Sequence, residues 1–442
     1  MLFRQFVDDD LGCASYLVGD EHAGLALLVD PPYAIEPLAA EADRRGVRLV
    51  AVLETHNHAD HVSGHGRLAL ERGVPVRIHR LAAAEYPHDP LEDGTEVELG
   101  DVVVRTLHTP GHRPEHCAFE VIDRGRGDEP WLVLTGDSLF VGDAARPDLA
   151  VGAQEGAEGL FESLQRLVAL GDGVEVYPGH VAGSLCGAAM SSKPSTTIGF
   201  ERRFNHALLE DRDAFLAAAA GPQPPRPPNM ERIVELNRGP FLPARPAPPR
   251  ADAIPDGAVV LDVRPTDAFV AGHRAGAVGV PITGSHFGTK AAFVLPERPI
   301  LIHATDEAEA RLAAARLHAV GLFALAGWQE GGGEETLRPI SLEELEALLS
   351  DDAVELLDVR EADERDGGFV PGSRHLPYRT ARAAAENGLL DGRPVVTICE
   401  SGARAAVAAS VLQSAGVDAR PVLDGGVASW RGETCSFRRC GS

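Results

Sequence analysis

The pattern of apolar and polar positions divides the chain into two regions of different rhythm. Up to residue 220, apolar runs such as Leu25 to Val29, Leu49 to Leu53, Val102 to Leu107, Trp131 to Thr135 and Val174 to Tyr177 predict strands, with fewer helical stretches between them. That balance predicts sheets packed together inside flanking helices. From residue 251 onward, short β-branched runs (Val259 to Val263, Pro299 to Ile302, Val354 to Val359, Val395 to Cys399) alternate with Ala/Leu-rich helical stretches, the pattern of parallel sheets wrapped by helices. The predicted fold class is α/β and multidomain.

Between the two regions the pattern breaks. Ten of the 32 prolines fall in 221–250, a density that neither a helix nor a central strand tolerates. The segment reads as a stiff Pro-rich linker, with Asn229 to Arg238 as a short docking helix inside it. Beyond it the sequence repeats itself. AVVLDVRPTDAF returns as AVELLDVREADE, and RPILIHATDEAEARLAAARL returns as RPVVTICESGARAAVAASVL. The expected organisation is a first domain over 1–220, the linker 221–250, and two copies of one small domain over 251–338 and 339–442. The length of 442 residues fits about three such domains.

The net charge of −25 argues against nucleic acid or an anionic membrane surface as partner. No apolar run approaches the ~18 residues of a membrane span. The start, MLFRQFVDDD, carries acids where a signal peptide has its apolar core, so a cytoplasmic protein is expected. Six cysteines without CxxC spacing suggest neither a disulfide framework nor a structural zinc knot. Cys13 and Cys117 have no motif around them, and Cys435 and Cys440 read as tail thiols. Twelve of the 17 histidines lie at or before His206, which is where a metal is expected.

The run THNHADH packs His56, His58, Asp60 and His61 into six residues just after an apolar strand. TPGH brings His112, LTGD brings Asp137, and YPGH brings His180, the last two also just past predicted strands. This series resembles the metallo-β-lactamase superfamily over the first 210 residues. The resemblance implies an αβ/βα sandwich with a metal held at one edge of two packed sheets. GDSLFVGDAARPDL and GSLCGAAMSSKPSTTIGFER resemble the persulfide dioxygenase branch in particular. That implies one Fe(II) per chain on His56, His112 and Asp137, with His58, Asp60, His61 and His180 retained around it without binding iron. Two histidines and one carboxylate leave positions open for O2 and a thiolate-like substrate together. Zinc, the alternative metal, has no redox chemistry. Arg146 and Asp148 of ARPDL match the same motif, either fixing the loop or the substrate or forming a structural salt bridge. Cys186, six positions after His180, either receives sulfane sulfur or is a buried small hydrophobe.

In the last copy, the strand Val395 to Ile398 runs into CESGAR and a helix beginning near Arg404. A loop rolled up at a helix N-terminus aims N–H groups at the Cys399 sulfur, and Arg404 adds a positive charge. With LLDVR (Asp358, Arg360) upstream and DGG…W (Asp424 to Gly426, Trp430) downstream, residues 341–431 resemble the rhodanese sulfurtransferases. Glu400 departs from that family, whose loops often carry Arg there, and is expected to disfavour a dianionic donor such as thiosulfate. In the middle copy Ala304 takes the place of Cys399, so that domain resembles an inactive rhodanese. It is expected to position the outer domains or to form a contact in a homo-oligomer, with His303 a packed strand residue.

The whole chain resembles multidomain persulfide dioxygenase–sulfurtransferases. The resemblance implies oxidation of a low-molecular-weight thiol persulfide by O2 to sulfite, and transfer of sulfane sulfur through Cys399 to sulfite, giving thiosulfate. The alternatives are a dizinc thioester hydrolase similar to hydroxyacylglutathione hydrolases, carrying a rhodanese passenger, and a non-catalytic sulfane-sulfur carrier or sensor.

Overall fold

The computed structural model describes residues 1–181, 190–221, 223, 225–390 and 392–430. They fall into two units. One is Met1–Arg245 with His318–Gly321; the other takes Pro246–Leu317 and the chain from Leu322 onward. The division falls inside the Pro-rich segment, and the helix Met230–Arg238 belongs to the first unit.

Among the described residues the first unit contains two sheets. In one, β1 (Leu2–Val7), β2 (Ala14–Asp20), β3 (Leu25–Val29), β4 (Arg48–Leu53), β5 (Val76–His79) and β6 (Asp89–Leu91) lie side by side in chain order. In the other, β7 (Glu96–Glu98), β8 (Val102–His108), β9 (Cys117–Asp123), β10 (Leu132–Gly136), β11 (Glu175–Pro178) and β12 (Thr196–Thr197) do the same. The first sheet turns from antiparallel to parallel pairing between β3 and β4, and the second is antiparallel except for the parallel pair β10–β11.

The apolar runs of the sequence are unbroken because both faces of these strands are covered. On β3, Leu27 and Val29 face the core between the sheets, where they meet Val104, Phe119 and Leu134. Ala26 and Leu28 face the other way, into a core shared with Leu38 and Leu68 of the helices Glu36–Arg45 and His65–Arg72. The helix Ala153–Val168 covers the second sheet by inserting Leu160 and Leu164 against Val133 and Val176. The result is the expected αβ/βα sandwich.

The second unit repeats one small topology. β13 (Val259–Asp262), β14 (Val278–Gly279), β15 (Ile300–His303) and β16 (Leu325–Gln329) form a parallel sheet in the order β14-β13-β15-β16. β17 (Glu355–Asp358), β18 (Arg374–His375), β19 (Val395–Ile398) and β20 (Ala419–Pro421) form another in the corresponding order β18-β17-β19-β20. The two copies share one continuous core, in which Leu261, Val278 and Ile302 join Leu357, Val407 and Val411. The Ser410 hydroxyl adds a polar tie, accepting the Gly279 N–H at 3.0 Å.

Candidate metal centre and cysteine loop

The metal-type residues occupy turns at strand ends in the first unit. Asp30 directly follows β3, and with φ at +48° it places its carboxylate on the turn after β4. There it accepts the Thr55 N–H at 2.7 Å and the Thr55 hydroxyl at 2.8 Å. With its proton committed to Asp30, the Thr55 oxygen is an acceptor for the His56 Nδ1–H at 2.9 Å. His112 donates its Nδ1–H to the Arg146 carbonyl at 2.9 Å. The His180 Nδ1–H donates to Asp137 Oδ1 at 2.8 Å.

These bonds tie down the outer atom of each group and leave the inner one free. His56 Nε2 and Asp137 Oδ2 are buried without a hydrogen-bond partner, and His112 Nε2 lies 3.6 Å from Asp137 Oδ2. Donor atoms of His56, His112 and Asp137 all lie within 4.8 Å of one another. Burial holds His56 well below the usual imidazole range, and the charge of neighbouring His58 acts in the same direction. Burial also lowers His112. For Asp137 burial pushes upward, but the His180 charge and hydrogen bond outweigh it and hold the carboxyl low. Neutral imidazoles and a carboxylate are the protonation states that bind a metal. Two buried, unpartnered atoms facing a third donor are costly unless an ion takes them, so the residues fit a bound cation.

Two glycines make the close approach possible. A side chain at Gly136, where φ is +48°, would meet His116 Nε2 at 2.7 Å and the Thr55 Cβ at 2.8 Å. One at Gly179 would meet Asp137 Oδ1 at 2.5 Å. TGD and PGH therefore need their glycines in order to bring Asp137 and His180 together.

The remaining histidines of THNHADH are engaged elsewhere. His58 Nε2 lies 3.1 Å from Glu54 Oε2 and 3.2 Å from Asp30 Oδ1. Burial pushes His58 down, as does His61, but Asp30 and Glu54 prevail and raise it to about 9. Glu54 Oε1 also accepts from the Ser63 hydroxyl at 2.6 Å. Asp60, His61 and His180 form a second group, with His180 Nε2 2.8 Å from Asp60 Oδ2 and His61 Nδ1 3.1 Å from Asp60 Oδ1. Cys13 stands among them: its Sγ is 3.3 Å from Asp60 Oδ2, 3.3 Å from His180 Nε2 and 3.5 Å from His61 Nδ1.

Sequence reasoning gave Cys13 no role, and it passed over Glu54, Asp30, His116 and Asn237 altogether. His116 is buried with its ring 5.4 Å from that of His56; only its spacing from His112 hinted at it. Asn237, from the helix within the expected linker, donates to the His58 carbonyl at 3.0 Å and the His61 carbonyl at 2.8 Å. It also accepts the Ser63 N–H at 2.9 Å, so one amide clasps the whole turn. Arg146 grips Asp148 in a two-pronged bond at 2.7 and 2.9 Å. Cys186, Cys435 and Cys440 lie outside the described residues.

In the second unit Cys399 is buried at the end of β19, and Gly402, with φ at +91°, donates its N–H to Sγ at 3.1 Å. The helix Ala403–Ser414 starts immediately afterwards, so its positive end lies beside the sulfur. Arg404, expected to lend its charge to the sulfur, is held bidentately by Glu364 at 2.5 and 2.6 Å, and Cys399 is among the groups that favour its charged form. Glu400 turns to Arg360 at 3.2 Å, and Arg360 is forked onto Asp358 at 3.0 and 2.8 Å. The middle copy keeps the frame without the thiol. Arg264 forks Asp262 at 2.9 and 2.6 Å, His303 is packed at the end of β15, and buried Ala304 follows it.

The sequence profile described as "Metallo-beta-lactamase superfamily" matches residues 8–180, and that described as "Rhodanese-like domain" matches 341–433. An uncharacterized protein of Mycobacterium tuberculosis is 31% identical over 234 residues, covering 47% of this chain and 98% of its own. The mitochondrial persulfide dioxygenase ETHE1 of Homo sapiens is 28% identical over 240 residues, covering 54% of this chain and 87% of its own. Among solved structures, a metallo-beta-lactamase from Staphylococcus aureus superposes with a TM-score of 0.69 at 27% identity, covering 75% of this chain and 98% of that one. The chain belongs to the metallo-beta-lactamase superfamily, and it joins that fold to a rhodanese-like domain.

Proposed function

We propose that this protein oxidises low-molecular-weight thiol persulfides with O2 at one iron(II) ion, and passes sulfane sulfur through Cys399 to sulfite. The observation that carries the reading is the donor set itself. His56 Nε2, His112 Nε2 and Asp137 Oδ2 are left free by hydrogen bonds that occupy every other polar atom of the three groups. Two imidazoles and one carboxylate would hold an iron(II) ion and leave it able to take both O2 and a persulfide sulfur. The persulfide dioxygenase relative gives this reading its substrate class.

The balance is RSSH + O2 + H2O giving RSH and sulfurous acid, which ionises to sulfite; the terminal sulfur is oxidised and O2 is reduced. Around the site, Thr55, the Arg146 carbonyl and His180 fix the orientation of the three donor groups, a role such outer partners commonly have. Arg146 and Asp148 fix the loop that presents the carbonyl. In the rhodanese-like domain, the Cys399 thiolate takes the terminal sulfur of a second persulfide and releases the thiolate RS⁻. Sulfite then attacks the outer sulfur of the Cys399 persulfide, forming the S–S bond of thiosulfate and returning the Cys399 thiolate. The Gly402 N–H and the helix terminus stabilise the sulfur anion in both steps.

The test is oxygen uptake by anaerobically iron-loaded protein with a panel of small persulfides, assaying metal content, sulfite and thiosulfate in the same samples. Uptake with sulfite formation is expected. Two zinc ions per chain with thioester hydrolysis, or absence of any turnover, would overturn the reading.

A further inference from the structure

In the first unit Cys13 is built into the metal centre by main-chain pairing rather than by its local sequence. It bridges His180 in antiparallel fashion, flanked by Ala14 N–H donating to the Gly179 carbonyl at 2.7 Å and Val181 N–H donating to the Gly12 carbonyl at 2.8 Å. That pairing puts a buried thiol among Asp60, His61 and His180, with Sγ 3.3 to 3.5 Å from one polar atom of each. Asp60, His61 and His180 are all metal-ligating residue types, and the donor atoms of Cys13, Asp60 and His61 lie within 4.8 Å of one another, next to the set formed by His56, His112 and Asp137.

We propose that Cys13 keeps the centre mononuclear: its thiol occupies the space between Asp60, His61 and His180 and supplies the hydrogen bonds that a second cation would have to replace. This rests on reading His56, His112 and Asp137 as the site of one ion. A cation binds nitrogen and oxygen donors at about 2.0–2.2 Å. To enter, it would have to displace the thiol from its contacts with all three groups. His180 is committed further, since both its nitrogens face carboxylate oxygens at 2.8 Å, Asp137 on one side and Asp60 on the other. The thiol also donates to Asp60, so that carboxylate is satisfied without a metal. Removing the sulfur would leave two imidazoles and a carboxylate around a small polar space.

The test is metal stoichiometry in the full chain, stripped and reloaded with excess zinc(II), then measured by elemental analysis after desalting. Wild type is expected to hold one ion per chain, Cys13→Ala two, and Cys13→Ala with Asp60→Asn one again. Cys13→Ser, which keeps a small hydrogen-bonding group in the same place, is expected to stay at one. A single ion in folded Cys13→Ala, or two in wild type, would overturn the proposal. Should Cys13→Ala not fold, cobalt(II)-loaded wild type is compared with Cys13→Ser. A sulfur-to-cobalt charge-transfer band that the serine variant loses would make Cys13 a ligand and end the proposal; identical spectra support it. Ion counting is independent of oxygen uptake. An inactive wild type holding one ion would overturn the dioxygenase reading alone, whereas an active wild type with an unchanged Cys13→Ala count would overturn this proposal alone.

Discussion

The main-chain carbonyl of Arg146 accepts the Nδ1 proton of His112 at 2.9 Å, while the Arg146 guanidinium is forked onto Asp148. The ARPDL motif thus orients a candidate ligand through its backbone and anchors that backbone through its side chains. Asp148→Asn is expected to loosen the loop and lower metal affinity by about 10-fold or more, within the range usual for partners of metal ligands. A chelator competition titration reads this directly; unchanged affinity would show that the fork only stabilises the fold.

The pairing of Glu54 with His58 has a definite pH signature. Burial pushes Glu54 up, but His58 and His65 overcome it and lower it from 4.5 to about 2, so its contribution is present above 4.5 and is lost as pH falls towards 2. His58 is raised from 6.5 to about 9, so its contribution is full below 6.5 and is lost as pH rises through 9. Their joint stabilisation is therefore greatest between pH 4.5 and 6.5. The difference in Tm between metal-free wild type and Glu54→Gln should be largest in that window and shrink on both sides. A difference that is flat with pH would contradict the assignment.

Cys399→Ser should separate the two half-reactions. Oxygen uptake is expected to stay at the wild-type rate, thiosulfate to fall to background, and sulfite to accumulate in its place. Thiosulfate formed at the wild-type rate would show that sulfur reaches sulfite by another route.

Glu400 sits beside Cys399, half exposed, with its carboxylate on Arg360. Arg360 is buried and only Glu400 is open to solvent, and a pair with one solvated partner is worth on the order of 1 kcal/mol or less. Glu400→Gln takes a carboxylate off the Arg360 guanidinium, which stays forked on Asp358, and removes a negative charge from the loop, so kcat/KM for thiosulfate as sulfur donor should rise by about 2- to 5-fold. A persulfide donor that carries one negative charge rather than two serves as control and should respond less; equal responses would remove charge as the cause.

The strands were legible in the sequence because they are local. Leu25 to Val29 is β3 residue for residue, and the runs ending at Leu53, Tyr177 and Ile302 fall within a residue of β4, β11 and β15. The repeat was equally legible, since the two copies share order and pairing. The motifs also named His56, His112 and Asp137, whose donor atoms the fold gathers within 4.8 Å of one another.

What the sequence by itself determined was which segments form strands and which motif residues lie at their ends. Tertiary structure decided how those ends meet. Cys13 reaches His180 only because the residues just before β2 and just after β11 form an isolated bridge, and no local period records that. Asn237 looked like part of a linker until its helix met the metal turn. Arg404 was legible beside the sulfur, but its bidentate partner Glu364, 40 residues upstream, was not. Each of these depends on side chains far apart in sequence competing for one polar partner. A buried polar atom takes whichever partner the fold brings within hydrogen-bond reach, so that choice is fixed only when the chain has closed around it.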